Sequence, residues 1–217
     1  MADGELVLVT GQSRSGKTYW TAQQVKRERR LLVWDSMAEF AADYHCKPIT
    51  DLEHFRRIAL HAPLGRYSFA VPVTAKSFDV FCRFTWIWLR TLNRRGLSAA
   101  VVVEELADVT PPGKAPEAWG EIVRKSLRFG TRIYALTQSM AESDKTVVRN
   151  ATVLHCHSLA RDTDRRDMAR ELDVEQALID GLDFSRFEWL ERDRRSRELR
   201  RGGKGRRRRK NAQTSRS

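Results

Sequence analysis

Gly11-Gln12-Ser13-Arg14-Ser15-Gly16-Lys17-Thr18 follows the apolar run Leu6–Thr10 and opens a stretch, Thr18 to Glu28, that can form a helix. The octet has the form G-x-x-x-x-G-K-[ST], and a strand before it with a helix after it is the context in which that spacing makes a phosphate cradle. The glycines let the backbone curl so that successive N–H groups point at one anion, and the helix adds the positive end of its dipole. All eight residues, Gly11, Gln12, Ser13, Arg14, Ser15, Gly16, Lys17 and Thr18, are therefore candidates for binding ATP. Lys17 can reach the β- and γ-phosphates, and Thr18 can offer its hydroxyl to Mg²⁺. The alternative is a Gly/Ser-rich turn carrying an exposed lysine.

Outward from this loop, strand-like and helix-like segments alternate. Leu31–Trp34, Tyr67–Val71, Ala99–Val103, Ile133–Leu136, Thr152–Cys156 and Arg186–Leu190 read as strands. Asp51–Leu60, Ser77–Leu92, Ala118–Arg128, Asp162–Leu172 and Val174–Ile179 read as helices, and Asp108–Pro116, with its prolines, reads as a loop. Continuous apolar strands alternating with helices predict an α/β fold, a mostly parallel sheet covered by helices on both faces.

An ATP-hydrolysing site needs an acid at the end of a neighbouring strand. Ala99-Ala100-Val101-Val102-Val103 ends in Glu104-Glu105. Side chains alternate along a strand, but where the chain turns both acids can face the site. Glu104 would hold Mg²⁺ directly or through water, and Glu105 would orient or deprotonate the attacking water; two solvated acids capping an apolar strand are the alternative. Thr137-Gln138 ends the next strand at the edge where parallel sheets bind ligands. Gln138 can bond the attacking water or the γ-phosphate, or the pair can cap the following segment.

The chain has 217 residues, 41% hydrophobic and 31% charged, with a formal net charge of +12. From Arg200 to Ser217 there are nine Lys/Arg and no acid, which leaves +3 for residues 1–199. The expected organisation is a P-loop domain over 1–199 and a basic, low-complexity, disordered tail over 200–217. Such a tail suits a polyanion, with a solubilising or targeting run as the alternative. The longest stretch free of Asp, Glu, Lys and Arg is Asn150–Ala160, far below the roughly 20 residues of a membrane span. MADGELVLV lacks the basic flank of a secretory signal. Cys46, Cys82 and Cys156 are too few and scattered for a disulfide framework, which points to a reducing, cytoplasmic setting. His155 and His157 should share one strand face and Cys156 the other, so they do not converge on a metal.

The order GQSRSGKT (11–18), a short strand ending in Asp35, VVVEELAD (101–108), RFGTRIYALTQ (128–138) and KTVVRNATVLHCHSLARDTDRRDMAREL (145–172) resembles the FtsK/HerA superfamily of hexameric DNA-pumping ATPases over residues 5–190. A bare motor domain of this length is most similar to the genome-packaging ATPases of tailless, membrane-containing, tectivirus-like double-stranded DNA viruses. The resemblance implies a RecA/FtsK-like P-loop fold, ATP and Mg²⁺ as cofactors, and a homo-oligomeric, hexameric ring with ATP at subunit interfaces. It implies double-stranded DNA and capsid or portal-vertex proteins as partners, and action in the host cytoplasm or at the packaging vertex of the virion.

Position by position, Lys17 and Thr18 match the Walker A lysine and hydroxyl, Glu104 the Mg-associated Walker B acid, Glu105 the catalytic glutamate and Gln138 the polar sensor. The family often has Asp where this chain has Glu104. Its trans-acting arginine lies just before the glycine of the sensor strand, where this chain has Leu127; Arg128, two residues before Gly130, is the first choice, with Arg124 and Arg149 as alternates. For the grip on DNA phosphates the candidates are Lys114, in the loop after the Walker B strand, and Arg206, Arg207, Arg208, Arg209 and Lys210 in the tail. Arg165, Arg166 and Arg170 sit among acids and read as a solvated helix face. Other readings of the same residues are a small-molecule P-loop kinase, a nucleotide-switched DNA-binding assembly factor, and a secretion or conjugation motor.

Overall fold

The computed structural model describes residues 3–61 and 64–204. Among these residues nine strands form one sheet: β1 (Glu5–Thr10), β2 (Arg30–Trp34), β3 (Lys47–Ile49), β4 (Gly65–Phe69), β5 (Ala100–Val103), β6 (Arg132–Thr137), β7 (Val153–His157), β8 (Trp189–Asp193) and β9 (Leu199–Gly202). Their spatial order is β3-β4-β2-β5-β6-β1-β7-β8-β9. The first seven in that order run parallel, and β8 and β9 close one edge as an antiparallel hairpin. The helices are α1 (Lys17–Gln24), α2 (Leu52–His61), α3 (Ala75–Arg94), α4 (Glu117–Lys125), α5 (Lys145–Asn150), α6 (Asp162–Leu172) and α7 (Gln176–Asp180).

The sheet has two dry faces because the middle positions of its central strands are apolar. Along β1, Leu6 and Leu8 enter one core and Val7 and Val9 the other, as a side-chain period of two requires. The larger core packs Trp34, Phe55, Phe69, Phe78, Phe81, Trp88 and Trp119 between the sheet and α2, α3 and α4. Full burial of each such ring stabilises the fold by roughly 2–3 kcal/mol. The smaller core sets Val33, Val102 and Leu136 against Trp20 of α1 and against Tyr44. Thr74 and Ser77 form a capping box that starts α3, two residues before its expected beginning. Trp88 is buried in the core, and Trp86 stacks on Phe129 at 5.6 Å.

Several boundaries differ from the sequence reading. The helix after the phosphate loop ends at Gln24 rather than Glu28, and the helix expected over 118–128 is α4 followed by a 3-10 turn at Ser126–Phe129. The last expected strand begins three residues later, at Trp189. β3, β9 and α5 were not expected. β9 corrects the boundary at 199/200: Arg200 and Arg201 lie in the sheet, where Arg200 pairs with Glu191 and Glu198 and Arg201 with Glu188. The basic residues 206–210 lie outside the described residues.

Candidate functional site

The register brings the three chemical segments to one edge. Thr10 of β1 lies beside Thr137 of β6, and Val103 of β5 beside Ala135 of β6. The phosphate loop, Gln138 and Glu104-Glu105 therefore leave adjacent strands at their carboxyl ends, where such sheets bind ligands.

The loop is shaped by close approach. A side chain on Gly11 would lie 2.5 Å from Ser15 Oγ and 2.7 Å from His157 Cβ. Gly16 is left-handed, φ 103°, directly before α1, and Arg14 is also left-handed at φ 61°. Lys17 folds back over the loop, and its Nζ donates to the carbonyls of Gly11 at 2.7 Å and Gln12 at 3.2 Å. Burial holds the Lys17 ammonium below its ordinary pKa, against the opposing pull of Glu105 and Glu104. The Ser15 hydroxyl is buried with no hydrogen-bond partner among the described residues. A curled backbone, an ammonium and an unpaired hydroxyl around one concavity fit a polyphosphate.

Glu104 is 3% exposed. Its Oε2 accepts from Thr18 Oγ1 at 3.4 Å, and its Oε1 accepts from Tyr44 Oη. Burial pushes the carboxyl up to about 7; the bonds from Tyr44 and Thr18 and the charge of Lys17 oppose it. Thr18 and Glu104 are hard oxygen donors side by side, a set that fits Mg²⁺ with water and phosphate oxygens completing the shell. Tyr44 was missed by sequence reading, since nothing in the irregular segment between Asp35 and Lys47 marks it.

Glu105 turns in a left-handed conformation, φ 45°. That turn lets consecutive residues face the site, as the sequence reading required. Its Oε1 accepts from the backbone N–H of Gln138 at 3.1 Å and its Oε2 from Gln138 Nε2 at 3.0 Å. Gln138 thus clamps the carboxylate of Glu105. Thr137, in place of a helix cap, donates inward to the carbonyl of Ser139 at 3.0 Å.

Arg128 lies elsewhere. It is exposed in the turn before β6, at the opposite end of that strand from Gln138, about 20 Å away by strand rise. It is out of reach of its own chain's loop. Arg124 is exposed on α4, and Arg149 with Lys114 and Lys145 rims a pocket of about 260 Å³ that Thr146 and Asn150 complete. On the surface Arg165 pairs with Asp180 and Asp162, Arg166 with Asp162 and Arg170 with Asp167.

A second cavity, about 450 Å³, opens from the phosphate loop between α1 and the β8–β9 hairpin, lined by Gly16, Tyr19, Trp20, His157, Phe187 and Trp189. Lys204 Nζ lies 5.3 Å from the centre of the Phe187 ring. Below the cavity, His155 stacks on Trp20 at 3.6 Å, meets Glu191 at 3.0 Å and meets His157, Nε2 to Nε2, at 3.2 Å. Cys156 points into the other core.

Burial pushes both histidines down, His157 to about 2. A depressed histidine stays neutral in the folded chain while its unfolded counterpart takes a proton below about 6.5. The His157 contribution to stability is therefore expected to fall as pH drops below that value, by up to about 2 kcal/mol at pH 5, while Glu104, raised by burial to about 7, gains by taking a proton over the same range. Melting of the native chain and of His157→Gln at pH 7 and pH 5 checks this, the variant losing about 2 kcal/mol less on acidification. An equal pH dependence in the two proteins would contradict it.

No protein-family model matches the chain. It is 32% identical over 179 residues to protein P9 of Pseudoalteromonas phage PM2, covering 81% of this chain and 78% of P9. The chain belongs to the P9 family. Its fold is that of several solved P-loop NTPase structures. The genome packaging NTPase B204 of Sulfolobus turreted icosahedral virus 2, in complex with AMPPCP, superposes with a TM-score of 0.74 at 14% identity over 92% of this chain and 97% of that one. B204 of Sulfolobus turreted icosahedral virus gives 0.69 at 14% identity over 93% and 97%. The conjugation coupling protein TcpA of pCW3 gives 0.54 at 14% identity over 87% of this chain and 56% of TcpA.

Proposed function

We propose that this protein is an ATP-hydrolysing motor that moves double-stranded DNA and packages a viral genome into a procapsid. The observation that carries the reading is the meeting of three pairs at one sheet edge: Lys17 on its loop, Thr18 with Glu104, and Glu105 with Gln138. A kinase needs the first, whereas a water-activating carboxylate clamped by a strand-end amide suits hydrolysis. Similarity of fold to packaging NTPases supplies the setting.

In this reading the loop N–H groups and Lys17 hold the β- and γ-phosphates, and the base lies in the aromatic cavity against Tyr19, Trp20, Phe187 and Trp189. Thr18 and Glu104 would hold Mg²⁺, which when bound offsets phosphate charge. Glu105 takes the proton of the attacking water as its oxygen bonds to the γ-phosphorus and the bond to the ADP oxygen breaks. Gln138 keeps the Glu105 carboxylate aimed. Arg128, exposed and remote from its own loop, acts on the site of a neighbouring copy in a homo-oligomeric ring, a hexamer, with Arg124 and Arg149 as alternates. The ring works in the host cytoplasm and docks on capsid or portal-vertex proteins; among the described residues no helix is long and apolar enough to cross a membrane.

Lys114, joined by Lys145 and Arg149, and Arg206, Arg207, Arg208, Arg209 and Lys210 of the tail are the proposed phosphate grips. Removing one such cation from the DNA backbone should lower the slope of log affinity against log salt by about 0.9. Replacing Lys114, Lys145 and Arg149 together by alanine is expected to remove about 2.7 from that slope, and truncation after Lys204, which spares β9, should remove more. Unchanged salt slopes would exclude the residues concerned. The reading as a whole is tested by ATP hydrolysis with and without long double-stranded DNA, beside the mass in solution with ATP and Mg²⁺. DNA-stimulated turnover in a ring-sized assembly is expected. A monomer indifferent to DNA would overturn the motor.

A further inference from the structure

We propose that Tyr44 is a positioning residue for ATP-bound Mg²⁺: its phenol, donated to Oε1 of Glu104, turns that glutamate so that Oε2 faces Thr18. The inference rests on the assignment of Thr18 and Glu104 to the ion made above. A glutamate has one more rotatable bond than an aspartate, so its carboxylate must be held if it is to stay beside the Thr18 hydroxyl. The hydrogen bonds to Glu104 come from two residues on different segments, Thr18 at 3.4 Å and Tyr44. The second occupies the oxygen that does not face Thr18 and leaves the other for the ion.

Tyr44 is built to stay in place. Its ring is 1% exposed and packs in the smaller core with Val7, Val33 and Val102. The segment that carries it is fastened at both ends. At the start, the Asp35 carboxylate accepts from the N–H groups of Glu39 at 3.1 Å and Phe40 at 3.0 Å and from the Ser68 hydroxyl at 2.8 Å. At the end, the Arg66 guanidinium donates to the Tyr44 carbonyl, Nε at 3.1 Å, and to the carbonyls of Val25 at 2.8 Å and Glu28 at 2.6 Å. The segment is thereby tied to β2, to β4 and to the end of the helix that follows the phosphate loop. A phenol delivered on so fixed a support restricts a carboxylate far more than an exposed partner does.

The test is the binding of a non-hydrolysable ATP analogue to Tyr44→Phe, first without divalent metal and then across a Mg²⁺ titration. Phenylalanine keeps the ring packing and removes one donor to a buried carboxylate. Metal-free affinity is expected to stay within about twofold, while the Mg²⁺ concentration for half-maximal tightening rises roughly tenfold. With Mn²⁺ in place of Mg²⁺, its electron paramagnetic resonance should report the same weakening directly. In a Glu104→Asp background the shorter carboxylate is beyond the phenol, so Tyr44→Phe should then change the Mg²⁺ requirement by less than about threefold.

An unchanged Mg²⁺ requirement in Tyr44→Phe overturns the role of Tyr44. So does an equal effect in both backgrounds, since the phenol would then act without Glu104. Glu104→Gln separates this from the underlying assignment. If Glu104→Gln raises the Mg²⁺ requirement and Tyr44→Phe does not, Tyr44 alone is excluded. If Glu104→Gln leaves the requirement unchanged, the ion is not at Glu104 and both readings fall.

Discussion

ATP turnover by Glu105→Gln is expected to run about 10²- to 10³-fold below that of the native chain, with ATP affinity within about threefold. The substitution alters the group proposed to take the proton of water and little else. Glutamine keeps the length and shape of the side chain. Its carbonyl oxygen can still accept from the Gln138 backbone N–H, the partner now at 3.1 Å. The second bond, at present from Gln138 Nε2 at 3.0 Å, would face amide nitrogen with amide nitrogen. A flip of the Gln138 amide restores it with donor and acceptor exchanged. The clamp survives, the left-handed turn at Glu105 survives, and the loop is untouched. What is lost is the anion that accepts a proton as water attacks. Single-turnover hydrolysis and the binding of a fluorescent ATP analogue, measured on the same preparation, separate the two effects. Turnover within tenfold of native would move the catalytic role to another acid, and Glu104 would be the first to examine.

The parts of this site legible from sequence are those fixed by short-range spacing. G-x-x-x-x-G-K-[ST] after an apolar run fixes Lys17 over its loop, because eight consecutive residues contain the whole device. Two acids after Val101-Val102-Val103 fix Glu104 and Glu105 at a strand end for the same reason. Tyr44 meets Glu104 across sixty positions of chain. It reaches there through a segment with neither helical nor strand period, so no local pattern marks it. The partnership of Gln138 with Glu105 was hidden differently. Both residues were singled out, but the link between them depends on β5 lying beside β6, and strand order is a tertiary fact.

The unexpected elements have their own causes. β3 is three residues long with Pro48 at its centre, a composition that the sheet tolerates at an edge, where no further strand needs that N–H. β9 reads as LRRG, which composition assigns to a solvated run. Glu188, Glu191 and Glu198 supply the acids that let Arg200 and Arg201 pair in the sheet. The aromatic cavity was likewise dispersed in the sequence. Tyr19 and Trp20 come from α1, and Phe187 and Trp189 from the turn before β8 and its first residue, more than 160 positions later.

Lys17→Ala carries the other large effect. Turnover is expected to fall by at least about 10³-fold, equivalent to some 4 kcal/mol of transition-state stabilisation. The lysine has two tasks. Its Nζ spans the carbonyls of Gly11 and Gln12 and braces the loop in its curled form. Once phosphate occupies the loop, the same ammonium supplies positive charge where the γ-phosphoryl group carries its developing negative charge. Burial lowers the pKa of Lys17, so it is weakly solvated and its charge acts at short range through little water. Alanine removes the loop brace and the charge together, and affinity should fall along with rate. The fold should persist, because β1 and α1 are held by the packing of Val7, Val9 and Trp20 rather than by the loop. A melting temperature within a few degrees of native would confirm that the loss is local. Turnover within tenfold of native in a folded Lys17→Ala protein would remove the phosphate loop from the chemistry. It would take with it the reading of Thr18, Glu104 and Tyr44 as one magnesium-binding unit.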